Sequence, residues 1–256
     1  MKTKKQLLFT KEINQMNMDF VIKLVALSSS VTVMKRMKVA VEQLEEHLKK
    51  IDTQFSSFQY DSLVSKFQRG DQTPLTSSND FKSIYNSAIL AEQMTNGIYR
   101  PYFAGRFDPS DIVKNWAIEQ AFNDDLKPLL ATPDIIAIYL SGDNNMKFAT
   151  EQDVDFSWTI NIPDYQNTAD PITSYYLKNG AIATVKNEKT SKQTTIIRSS
   201  LVEAGIWAIV GSVSTGNEFM PFIEHYNLTG ITADSNDELV NFNFGSIVSK
   251  KDMMAK

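Results

Sequence analysis

The chain has 256 residues, no cysteine, two histidines (His47 and His225), and 26 Lys and Arg against 30 Asp and Glu, for a formal net charge of -4. That balance argues against a nucleic-acid binder, which needs a basic face to displace phosphate counterions. Disulfides, thiolate nucleophiles, cysteine zinc sites and His-rich metal centres are excluded by the residue inventory.

The length fits one large domain or two small ones, with a sizeable core. Residues 1–15 read as an N-terminal extension. They lack an apolar run of signal-peptide length, and no stretch approaches a membrane span. The expectation is a cytoplasmic protein, with a removed signal segment left open. Asp19–Leu27 is rich in branched residues and predicts a strand. Val33, Met37, Val41, Leu44, Leu48 and Ile51 recur at spacings of three and four, the stripe of an amphipathic helix. His47 is expected on that helix's solvated face. The polar run Thr53–Asn79 reads as a long irregular connection, and so as a candidate ligand-facing loop.

A second helix is expected over Phe81–Ala91, ended by Asn96-Gly97. Then comes Phe107-Asp108-Pro109-Ser110-Asp111-Ile112-Val113-Lys114-Asn115-Trp116. It places two carboxylates, a lysine and a helix start within one short segment. Ser110 is the expected N-cap. Ile112, Trp116 and Ala117 supply one apolar face, while Asp111 and Lys114 share the other side. Lys beside a helix N-terminus suits a phosphate or a metal-bound phosphate; a capped surface helix with a weak ion pair is the plainer alternative.

Asp134–Leu140 is a near-continuous apolar strand, as expected for one covered on both faces. Phe156–Ile162 alternates and reads as half-buried. Gly180–Val185 and Thr194–Ile197 predict two strands joined by a short turn. Leu201–Val210 is a buried helix or strand; its length does not decide. Glu218–Tyr226 reads as helix with His225 near its C-terminus, Thr229–Ala233 as a short strand, and 249–256 as a frayed tail. Helices and strands in this order predict an α+β fold, mixed or antiparallel sheets with helices in separate layers.

In order and spacing these landmarks resemble the FAD:protein FMN transferases, the ApbE-like flavin transferases. Met16-Asn17-Met18 precedes the first predicted strand where the family has Met-Gly-Thr. Phe55-Ser56-Ser57-Phe58 is similar to its Phe-Ser-x-aromatic segment, and Gly97-Ile98-Tyr99-Arg100-Pro101 to its Gly-aromatic-x-Pro loop. The 108–117 segment is similar to Asp-Pro-Ser-Gly-Leu-Val-Lys-Gly-Trp-Ala. Leu140-Ser141-Gly142-Asp143 and Ala181-Ile182-Ala183-Thr184 resemble a Gly-Gly-Asp turn and an Ala-Val-Ala-Thr strand.

The resemblance implies one divergent ApbE-like domain over 16–248, binding FAD and, with magnesium, moving FMN to a Ser or Thr of a target protein. It implies flavin-nucleotide contacts at Met16, Phe58, Tyr99, Asp108 and Lys114, with metal contacts at Asp111 and, as a single surviving ligand, Glu203. The chain also departs from the pattern. Asp111 and Asn115 replace family glycines, and no His-x-Asp-Pro segment follows the Ala-Thr strand. In the family's Ala-Asp-x-x-x-Thr metal helix, one register gives Ala204 and Ala208, the next Glu203 and Trp207. The alternative is a homologue without catalysis that binds a flavin nucleotide or a protein partner.

Overall fold

The computed structural model describes residues 5–164, 171–234 and 239–248. The predicted tail at 249–256 lies outside them. Nine antiparallel strands make the main sheet: β1 (Leu7–Gln15), β2 (Met18–Ala26), β5 (Ile135–Gly142), β6 (Asn145–Thr150), β9 (Gly180–Asn187), β10 (Lys192–Arg198), β11 (Thr229–Ala233), β12 (Leu239–Asn243) and β13 (Ser246–Val248), in that spatial order. The α+β expectation with antiparallel sheet and separate helices holds.

Helices cover one face. They are α1 (Val31–Phe55), α2 (Leu63–Gln68), α3 (Thr73–Ser77), α4 (Asn79–Met94), α5 (Ser110–Ala121), α6 (Leu201–Val213) and α7 (Gly216–His225). Phe20, Ile22 and Leu24 of β2 and Ile138 and Leu140 of β5 meet this layer, joined by Leu44, Leu48, Ile118 and Trp207 from the helices. On the other face the hairpin β7 (Trp158–Pro163) and β8 (Pro171–Leu177) lays Trp158, Ile160 and Ile162 on Tyr139, Phe148 and Ile182. β5 is buried at every position because both layers meet on it, which accounts for its unbroken apolar run.

Several elements differ from expectation. Leu7–Gln15, read as an extension, is a full strand paired with β2 from Leu7↔Ala26 to Gln15↔Met18. Its inward face, Leu7, Phe9, Ile13 and Gln15, is only half-buried and is interrupted by exposed Lys11, so its apolar alternation is weak. The 53–79 run is not one irregular loop. It holds α2 and α3, whose six and five residues are too short to show a period, and Ser62 caps α2 through its hydroxyl. Leu201–Val213 is a helix, capped by Ser200, whose hydroxyl accepts from Glu203 N at 3.3 Å. His47 is half-buried, its Nδ1 2.9 Å from Asp125 Oδ2, because a π-helical turn at Phe122–Leu126 after α5 brings that carboxylate against α1.

Strand register fixes which loops gather. Phe20 pairs with Gly142 and Asn145 with Ala183. The two-residue turns Met16-Asn17 and Asp143-Asn144, and the 188–191 turn between β9 and β10, therefore lie at one end of the sheet. α5 begins at that end and runs alongside β6: Asn115 reaches Asn145, and Glu119 reaches Lys147. α6 runs the opposite way, starting beside Glu119 and ending where Ser212 O accepts from Thr190 Oγ1 of the 188–191 turn.

Candidate functional site

The site forms where α5 starts. A small hairpin, β3 (Tyr102–Phe103) and β4 (Arg106–Phe107), turns through Ala104 and Gly105, both with positive φ. It rests on an aromatic cluster in which Phe107 contacts Phe67, Phe81, Tyr85 and Tyr102. Gln68 Nε2 donates to Phe107 O at 2.7 Å, and Asp108 N donates to Pro101 O at 2.8 Å. These contacts bring Asp108 to the helix entrance.

Ser110 is not the N-cap. Pro109 holds that position and offers no capping side chain. The Asp108 carboxylate instead accepts from Ser110 N at 3.2 Å and from Ser110 Oγ at 2.5 Å. Asp108 thus takes the first amide of the helix, while the N-cap residue itself offers no acceptor to the amides that follow, which leaves those amides suited to an external anion.

Asp111 stands one residue into the helix. It keeps solvent on one side, yet the protein crowding its carboxyl pushes its pKa up; Lys114 pulls it down and Asp108 adds to the rise. Beneath both carboxylates lies Tyr99, buried at 5% exposure. Burial, then Asp111 and Asp108, raise its hydroxyl pKa, so Tyr99 stays neutral. Lys114 Nζ is half-exposed and 4.0 Å from Asp143 Oδ2 in the β5–β6 turn. Sequence reasoning marked this Gly-Asp turn but gave Asp143 no role. The structure makes it the counter-charge of Lys114, brought there by the β5–β6 turn, which the sequence could not place beside α5.

Tyr99, Asp108, Asp111 and Lys114 are therefore brought together. Met16 is half-buried in the β1–β2 turn at the same end of the sheet, in the left-handed region at φ 54°. Phe58 sits in the loop between α1 and α2, 95% exposed. Glu203 is not part of this group. It pairs with Arg198 at 2.9 Å in the first turn of α6. α5 and α6 are antiparallel, and the eight residues from Asp111 to Glu119 rise about 12 Å along the helix toward that turn. Asp111 and Glu203 do not share a site.

The helix face that meets α5 is set by Gly205. A β-carbon there would lie 2.0 Å from Asn115 Nδ2. One turn onward, toward the Asp111 end, the same face carries Ile209. Neither register read from sequence is the one presented: Ala204, Trp207 and Ala208 are fully buried in the core. Asn115, which stands where the resembled family has glycine, fills the space opposite Gly205, accepts from Asn145 Nδ2 at 2.8 Å, and Asn145 Oδ1 accepts from Thr184 N. Gly205 and Ile209 offer no side-chain oxygen, and among the described residues no group of three His, Asp or Glu side chains is placed to hold a metal ion. The residues do not fit a magnesium ion held as in the resembled family.

A second feature escaped sequence reading. Lys147 Nζ donates to Glu119 Oε1 and to Ser199 O, each at 2.7 Å. Glu119 Oε2 accepts from Ser200 Oγ, Leu201 N and Val202 N. A buried ion pair here ties α5, β6 and the start of α6 together.

Among the described residues no helix is long and apolar enough to cross a membrane. No protein-family model matches the sequence, and no curated protein is similar to it in sequence. Solved structures are similar in fold. The ApbE protein of Thermotoga maritima superposes with a TM-score of 0.73 at 12% identity, covering 92% of this chain and 97% of that one. The flavinyl transferase ApbE of Pseudomonas stutzeri, in its apo form, gives 0.70 at 12% identity over 94% and 97%. The flavin transferase ApbE of Vibrio cholerae gives 0.68 at 13% over 94% and 98%. The chain thus has, over nearly all its length, the fold of the ApbE flavin transferases in a highly divergent sequence.

Proposed function

We propose that this chain binds a flavin nucleotide, FAD or FMN, at the start of α5 and lacks the magnesium-assisted transfer of FMN to a target protein. The observation that carries the reading is the first turn of α5, whose N-cap Pro109 offers no side-chain acceptor, with half-exposed Lys114 beside it, 4.0 Å from Asp143, in a chain of flavin-transferase fold. Amides and ammonium together suit a phosphate. Asp108 suits a hydroxyl or ring N–H of the same ligand, and Met16 and Phe58 offer polarizable and aromatic surface for its ring. The loss of transfer rests on Asn115, Gly205 and Ile209, which leave the α5–α6 contact without metal oxygens.

FAD fluorescence titration of the full chain tests the first half. Expected are saturable binding insensitive to magnesium and about tenfold weakening in Lys114→Ala, the loss of one charge-assisted contact. No saturation at millimolar FAD would sink the reading. Incubation with FAD, magnesium and a Ser/Thr-containing flavin-acceptor protein tests the second half. Covalent flavin on that protein would overturn it in favour of an active transferase.

A further inference from the structure

At the end of the sheet away from the start of α5 lies a groove of about 1060 Å³. Its wall includes five consecutive residues of β8, Thr173–Leu177. Side chains alternate faces along a strand, so a groove touching all five meets the edge of β8 rather than one face. β8 pairs with β7 on its other side, and no further strand joins that edge among the described residues. Five residues of free edge span about 17 Å of unpaired N–H and C=O groups.

Phe148, Ile197 and Phe242 line the groove, and beside them lies an unmet buried acceptor. Asn241 is only 5% exposed and lines the groove, yet its Oδ1 has no hydrogen-bond partner. A buried acceptor left empty costs free energy that an incoming N–H would recover. Nearby Asn243 accepts from Thr229 Oγ1. Charge at the groove is internally balanced: Arg198 pairs with Glu203, and Lys147 with Glu119. The rim carries two exposed rings, Tyr176 at 72% and Phe244 at 75%.

We infer that this groove receives an extended, uncharged peptide segment of a partner protein, which adds as a third strand to the β7–β8 sheet. Backbone pairing to β8 supplies affinity, small polar side chains face Asn241 and Asn243, and the rim rings cover alternate side chains. A strand fits better than a compact ligand because the free edge is continuous while the acceptor beneath it is single. The charge balance disfavours acidic or basic segments.

Panning a phage-displayed random heptapeptide library on the full chain, followed by synthesis of the enriched peptides, tests this. N-methylation along a selected peptide should weaken binding about tenfold or more at alternate residues, with a period of two. Hydrogen exchange at 173–177 in the unmodified protein should slow on binding. Asn241→Leu should weaken the peptide about tenfold while FAD titration is unchanged. Enrichment of no peptide, N-methyl effects without the period, unchanged exchange at 173–177, or displacement by FAD would each overturn the inference. Peptide enrichment, the N-methyl period and the exchange at 173–177 are read whether or not FAD binds.

Discussion

Asn115 and Gly205 occupy one volume: the amide nitrogen of the first lies 2.0 Å from where the second would carry a β-carbon. The asparagine where the resembled family has glycine is thus matched by a glycine on the facing helix. Gly205→Ala should destabilise the fold by about 1–3 kcal/mol through overpacking. Asn115→Ala in the same chain should recover much of that loss, because the methyl then enters vacated space. Urea denaturation of both single variants and the double variant measures the coupling. Additive losses would show that the two positions do not share space.

The Glu119–Lys147 pair should be costly to break from one side. Lys147→Met leaves a buried carboxylate whose remaining partners are Ser200 Oγ and two amides of α6, and a loss of about 3 kcal/mol is expected. Replacing both members, Glu119→Gln with Lys147→Met, should cost less than the lysine change alone. Thermal unfolding of the two variants checks the order; the reverse order would remove the buried charge as the cause.

His47 should make stability fall as pH rises. Its pKa is raised, first by the hydrogen bond to Asp125, against burial that opposes it. The stabilisation is fully present below the ordinary histidine value near 6.5 and fades as pH climbs through the raised folded value. Asp125→Asn should remove a contribution on the order of 1 kcal/mol at pH 6 and little at pH 9. Denaturation midpoints across that range provide the measurement, and a variant equally destabilised at both ends would exclude the proton-linked pair.

Asp111 also makes stability fall as pH rises, but as a penalty that appears rather than a stabilisation that fades. Its raised carboxyl penalises the folded state above the folded pKa, and the penalty vanishes below the ordinary carboxylate value of 3.8. Asp111→Asn should therefore stabilise the chain at neutral pH and leave it unchanged near pH 3. Removing that charge should also tighten FAD several-fold by sparing Lys114 for phosphate. Weaker FAD binding in Asp111→Asn would mean that the carboxylate itself receives the ligand.

Much of the fold was legible because its signals are local. The α1 stripe, the unbroken β5 and the alternation of β7 each follow from side-chain period. β1 was hidden because its inward face is only half-buried and Lys11 interrupts its apolar positions, and β8 because none of its residues is fully buried. In the site, Asp108, Asp111 and Lys114 were found together since they sit on seven consecutive residues. Grouping Asp111 with Glu203 failed for the opposite reason. Only the antiparallel course of α5 and α6, set by Asn115 against Gly205, shows that the two lie far apart. Sequence alone gave no helical phase for 201–210, so the face turned toward α5 was invisible.

The anchoring of α6 has a consequence for how the chain loses its structure. The first amides of that helix bond a carboxylate 82 residues earlier in sequence, with |i−j| of 82 for Leu201 and 83 for Val202. In the folded chain the first amides of α6 therefore keep their acceptor only while α5 is docked. The two halves are therefore expected to melt together, and a fragment ending before residue 200 leaves Glu119 with Lys147 but without its hydroxyl and amide partners.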